Sequence, residues 1–237
     1  MDGKANGIMG QGDEMRARRL IGSIAIDAGH GGGDPGAIAR VGGDIRSGGE
    51  TRAIAGGGVI SRPGGYEILE KDLNLRLGAE IFGQALEAGL DAYMLRGGDY
   101  DMALGRRTEL ANGFGVDLFL SVHHNGAASA GASGTETFHF PGSGTGQVVA
   151  RALQSAMVDQ LGLPDRGVKT SDRFHVLRAT RMAAVLIEPL FLTGDRDQEL
   201  LEDRGYFKEL ARAVIGGIIG GRRLDVGGRR SDVRGRK

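Results

Sequence analysis

Short apolar runs alternate along this chain with stretches whose apolar residues recur every fourth position, and this alternation restricts the fold more than any other feature. The apolar stretch Ile21 to Ile26, LDAYML from Leu90, DLFLSV from Asp117 and AVLIEPLFL from Ala184 have strand composition. GTETFHF from Gly134 alternates as a strand does. Between these runs the period lengthens. Leu73, Leu77, Ile81 and Ala85, joined by Phe82 and Leu86, make an amphipathic helix that Gly89 ends. A second helix is expected from Met102 to Phe114 with Leu104, Ala111 and Phe114. A third runs to Leu161 with Val149, Ala152, Leu153 and Ala156 on one face, followed by an expected loop with Pro164 and Gly167 and a short extended piece, FHVL from Phe174. The last helix carries Phe207, Leu210, Ala211, Val214, Ile215 and Ile218. Strands alternating with helices predict a single α/β domain, a largely parallel sheet covered on both faces, with ligands gathered at strand C-terminal ends.

Length and composition narrow the rest. The 237 residues fit one domain with a real core. The expected division is an N-terminal segment over 1–19, a folded α/β domain over 20–221 and a basic tail over 222–237. That tail has seven basic residues against two acidic ones and almost nothing apolar, so it reads as a solvated end. Thirty Lys and Arg balance thirty Asp and Glu, which gives no indication of a nucleic-acid partner. The absence of cysteine excludes every thiol nucleophile and disulfide. MRARRLIGSIAI superficially resembles a signal peptide, but its apolar run of about seven residues is too short and leads straight into a strand. Nothing approaches the roughly 18 apolar residues needed to span a bilayer, so a soluble chain with no membrane span is expected.

Chemistry concentrates in four patches: DAGHGG around His30, EKDLNL opening at Glu70, SVHHN around His123, and VLIEPLF around Glu188. Two histidines and a carboxylate are a catalytic zinc set, which leaves a fourth position for water. Glu188 adds a carboxylate that could act on that water. The spacing of 40 and 53 residues is no tight signature, unlike a helical H-E-x-x-H, and plainer readings stand beside it. His30 could bind backbone in a glycine loop, Glu70 could be an acid favoured at a helix N-terminus, and His123 could be a sheet-edge histidine.

The ordered set DAGHGGGDPGA, EKDLNL, MLRGGD, RRTELAN, DLFLSVHHN, GTETF, the VLR at Val176 and VLIEPLFL resembles the zinc-dependent N-acetylmuramoyl-L-alanine amidases of the Amidase_3 family, over about Ile24 to Ile219. The resemblance implies a six-stranded, mostly parallel mixed sheet. It implies hydrolysis of the amide between the lactyl group of N-acetylmuramic acid and L-alanine of the stem peptide, with peptidoglycan or muropeptide as substrate. Carried over by motif, His30, Glu70 and His123 match the ligands of one zinc ion per chain, and Glu188 matches the catalytic glutamate. The chain is expected to act as a monomer at the cell wall, as a phage-type lysin or an exported bacterial enzyme. A zinc peptidase cutting within the stem peptide and a non-catalytic wall-binding relative are the alternatives.

The remaining polar residues receive lesser roles. His124 stands where the family commonly has Ala; as the strand neighbour of His123 it should face the other way, as a wall or supporting residue. Pro189 and Leu190 also depart from the family pattern. His139 is expected to be structural and His175 a candidate groove residue. Asn125 and Arg178 are candidate polar contacts, and Arg107 and Asn112 fit helix packing or support of the site. Residues Arg40 to Tyr66, rich in Gly, Arg and Ser, read as a long loop rimming the substrate groove.

Overall fold

A computed structural model of the chain describes residues 21–42, 59–62 and 65–224. Its elements are β1 (Ser23–Ala28), β2 (Ile38–Gly42), β3 (Val59–Arg62), β4 (Gly65–Leu69), α1 (Glu70–Glu87), β5 (Asp91–Met94), α2 (Leu104–Phe114), β6 (Leu118–Val122), β7 (Thr135–His139), α3 (Gly144–Leu161), β8 (Asp165–Thr170), α4 (His175–Arg178), β9 (Ala183–Glu188), α5 (Asp195–Leu201) and α6 (Tyr206–Leu224). The main sheet has six strands in the order β5-β1-β6-β9-β7-β8. Its first four strands are mutually parallel. β7 runs antiparallel to β9 and parallel to β8, so the sheet is mixed and mostly parallel, as expected.

Alternation along the strands builds two cores. Ile24, Ile26, Leu118, Leu120, Val122, Val185 and Ile187 join one cluster with α1, α3 and α6. Ala25, Phe119, Ala184 and Leu186 join a smaller cluster with Ala111, Val176 and Leu177 on the opposite face. Successive strand residues point to opposite faces, so central strands covered on both sides are apolar throughout. The stripe of α6 is buried as its periodicity predicts, against α1 and α3. Helix α2 differs from expectation. Its buried residues are Arg107, Thr108 and Ala111, while Leu104 and Phe114 are exposed, because this helix turns a cationic side chain toward the sheet. Leu86 of α1 is also exposed.

Three further expectations are corrected. Parts of the expected 40–66 loop are strands: β2, β4 and β3 form a three-stranded antiparallel sheet in that order. The proposed rim falls mostly on residues 43–58, outside the described residues. Pro164 and Gly167 flank or lie in β8 rather than a loop; its DRGVKT sequence lacks apolar alternation because it is a half-exposed edge strand. The FHVL piece, expected to be extended, is the single helical turn α4, too short to show a period. Of the expected terminal segments, 1–19 and all of 222–237 beyond the helical backbone of 222–224 lie outside the described residues. Among the described residues, no helix is long and apolar enough to cross a membrane.

Candidate active site

His30, His123 and Glu188 emerge where β1, β6 and β9 end, and Glu70 opens α1 beside them. The glycine-rich turn after β1 ties the end of that strand to the start of α1. Pro35 and Ala37 carbonyls accept the backbone N–H groups of Lys71 and Glu70, so the turn that carries His30 caps the helix that carries Glu70. His30 itself is in the left-handed region, at φ 61°, the one non-glycine residue there among those described. Such a conformation costs on the order of 1–3 kcal/mol and persists only when its surroundings fix it. Two positions beside it admit only glycine. A Cβ on Gly29 would lie 2.2 Å from the His123 ring, and one on Gly36, at φ +67°, would lie 2.5 Å from Glu70 Oε2.

The Glu70 carboxylate sits between the two imidazoles. His30 Nε2 is 3.2 Å from Oε2 and His123 Nδ1 is 2.9 Å from Oε1. The rings are edge to face with centroids 4.9 Å apart. Asp34 Oδ2 lies 2.8 Å from His30 Nδ1, which orients that ring and leaves Nε2 facing the carboxylate. Burial alone would lower the His30 pKa, but hydrogen bonds to Glu70 and Asp34 and their charges outweigh it and raise it to about 9. Burial would raise Glu70, yet hydrogen bonds from His123 and His30 and their charges hold it well below the usual carboxylate range. The carboxylate is therefore an anion built to hold positive charge. One donor atom from each of His30, Glu70 and His123 lies within 4.8 Å of the others. Two histidines and a carboxylate without a fourth protein ligand fit the donor set of a catalytic metal rather than a closed structural site.

Supporting groups close around these three. Ala37 N donates to Glu70 Oε2 at 2.8 Å, and Asn74 Nδ2 to Oε1 at 3.1 Å. His124 points away from His123, as the strand period predicts, and is fully buried. Its Nδ1 is 2.8 Å from Asn74 Oδ1 and its Nε2 is 3.0 Å from the Tyr206 hydroxyl. Burial holds its pKa down to about 4, so the ring is neutral at pH 7. Asn74 donates its amide to Glu70, so its oxygen accepts from Nδ1–H and Nε2 accepts from the tyrosine. Every donor in this path points toward Glu70. On the other side, buried Arg107 donates to Asp27 Oδ1 at 2.6 Å, to the Ala28 carbonyl at 2.8 Å and to the His30 carbonyl at 2.7 Å. Arg96, fully buried, reaches the Ala28, Gly29 and Lys71 carbonyls.

Glu188 lines a cavity of about 930 Å³ that is also lined by His30, Glu70 and His123. Its Oε2 is buried and has no hydrogen-bond partner among the described residues. Burial first, then the charges of Glu70 and Glu136, push its pKa well above the ordinary value, against a smaller pull from Lys169. His175 and Asn125 line the same cavity, and His175 Nε2 is likewise buried without a partner among the described residues. Asn125 donates to Glu136 Oε1 at 2.7 Å. His139 is buried, with Nδ1 2.9 Å from the Phe140 carbonyl. Arg178 donates to the Asp172 carbonyl, and Asn112 braces Ala179 and Arg181. Sequence reading missed Asp34, Asn74 and Asp27. The first two had a signal, since each stands four residues from a candidate ligand, in a tight turn and on a helix.

Fold and site together define an α/β enzyme domain with a candidate metal centre at the strand C-terminal ends. Residues 24–220 match the Amidase_3 family, described as N-acetylmuramoyl-L-alanine amidase, and the chain belongs to this family of amidases. It is 32% identical over 199 residues to the Bacillus subtilis protein YqiI, covering 83% of this chain and 82% of YqiI. It is 30% identical over 198 residues to the N-acetylmuramoyl-L-alanine amidase CwlM of Bacillus licheniformis, covering 82% of this chain and 66% of CwlM. The crystal structure of an N-acetylmuramoyl-L-alanine amidase from Clostridium difficile 630 superposes with a TM-score of 0.70 at 27% identity, covering 88% of this chain and all of that one.

Proposed function

We propose that the chain is a zinc-dependent peptidoglycan amidase that cleaves the bond between the lactyl group of N-acetylmuramic acid and L-alanine, working at the cell wall. The observation that carries this reading is the presence in one cavity of the His30–Glu70–His123 donor set and a buried Glu188 whose Oε2 has no partner among the described residues. A zinc ion held by His30, Glu70 and His123 supplies Lewis acidity toward a carbonyl and brings the pKa of a water near 7. The chain supplies the proton handling. Glu188 takes a proton from the attacking water and delivers it to the amide nitrogen as the C–N bond breaks. Hydroxyl ends on the lactyl carboxyl and hydrogen on the departing amine, which leaves poorly until protonated. A raised pKa suits a carboxyl that must both accept and return a proton near neutral pH.

The test pairs metal removal with one substitution. A chelator should abolish release of stem peptides and added zinc should restore it. Glu188→Gln should bind zinc as wild type does while turnover falls by about 10²-fold or more. Near-normal turnover in Glu188→Gln would overturn the assigned role, and activity indifferent to the chelator would overturn the metal.

A further inference from the structure

The sheet face that carries Glu188 continues past it. Glu136 is the register partner of Glu188 across the antiparallel β7–β9 pair, and opposed residues in such a pair share a face. Phe138, two residues on, shares it too and is aligned with Lys169 across β7–β8. Phe174 of the cavity wall packs edge to face on Phe138 at 5.2 Å. Asn125, also in that wall, holds the other end of Glu136. The sheet face that bears Glu188 thus continues through Glu136 to Lys169, next to the cavity wall that Asn125 and Phe174 form.

This extension gathers two cations. Buried Glu136 accepts from both Lys169 Nζ and Arg166 Nε on the same oxygen, Oε2. No other carboxylate among the described residues pairs with either cation. Two cations thus share a single directly paired carboxylate. Both side chains keep 40% of their surface exposed, and an ammonium and a guanidinium have more donors than one carboxylate oxygen uses. Aromatic seats fix the two heads: Arg166 lies 4.7 Å from the Phe191 ring centroid and Lys169 5.6 Å from that of Phe138. The cluster holds spare, oriented donors beside the catalytic carboxyl.

We propose that Lys169 and Arg166, seated on Glu136, form a subsite for a free carboxylate of the substrate's stem peptide, on the leaving-group side of Glu188. The inference rests on the amidase reading and deepens it, because the residue following L-alanine in a stem peptide is acidic and carries its α-carboxyl either free or amidated. The experiment compares two soluble muropeptides that differ only in that group, with zinc-loaded enzyme. Wild type should favour the free carboxylate in kcat/KM by on the order of tenfold, the worth of a charge-assisted hydrogen bond at a half-exposed site. In Lys169→Met, and again in Arg166→Gln, the ratio should collapse toward one, through KM rather than kcat. Each variant leaves Glu136 with one cation, and an unfolding midpoint near that of wild type checks that it folds. A wild-type ratio near one, or a ratio untouched in both variants, overturns the subsite. Hydrolysis of neither muropeptide and of no wall material by zinc-loaded wild type would instead strike down the amidase reading itself.

Discussion

Glu188 is the residue whose environment and assigned task are most tightly coupled, and its burial makes a prediction independent of turnover. Between the ordinary carboxylate value of 4.5 and its raised value, the folded protein binds more protons at Glu188 than the unfolded chain does. Its contribution to stability must therefore fall as pH rises through that window, by at most about 1.4 kcal/mol per pH unit. In metal-free protein, Glu188→Gln should unfold at a higher temperature than wild type at pH 7, with a gap that shrinks toward pH 4.5. A gap that is constant with pH would contradict the buried, proton-poised carboxyl. His124 makes the second residue-scale case. Tyr206→Phe should cost about 1 kcal/mol and His124→Ala about 2–4, since the latter also strands a buried hydroxyl and opens a cavity. If the path orients Glu70, chelator competition should show zinc affinity down by about 10–100-fold in His124→Ala. The His124→Ala/Tyr206→Phe double variant should regain stability without regaining affinity. Recovery of both together would reduce His124 to packing. The sequence showed that His124 faces away from His123 because a strand has period two; it held no sign of Tyr206, which lies 82 residues away.

At the scale of elements, the site depends on α2 as much as on the strands that bear its residues. The apolar residues Leu104 and Phe114 of α2 do not mark its buried face, because the helix buries Arg107 against Asp27 instead. That ion pair and its bond to the His30 carbonyl hold the strained turn in place. Arg107→Met should destabilise the protein by about 3–5 kcal/mol, because it leaves Asp27 buried and uncompensated. Denaturant midpoints check the loss, and wild-type stability in the variant would contradict the clamp. Long elements with strong periods, α1, α6 and the central strands, were legible because burial on one or both faces writes directly into residue type. β8, α4 and α5 were not: a charged edge strand and helices of four and seven residues bury too little to impose a pattern.

For the whole molecule, four residues from distant parts of the chain meet because parallel strands β1, β6 and β9 end on the same side of one sheet. That convergence follows from the alternation of strands and helices, so the placement of His30, His123 and Glu188 at strand ends is legible in the sequence. The pairing of Glu70 with them is not, since it depends on a turn whose carbonyls cap α1. The ordered motifs named all four, while the extension through Glu136 to Lys169 needed the register of β7 with its neighbours. The central claim is one bond in one polymer, and mass spectrometry of purified peptidoglycan digested by the zinc-loaded chain tests it most directly. The account predicts intact stem peptides beginning with L-alanine and glycan strands of unchanged length; stem peptides cut internally, or shortened glycans, would contradict it.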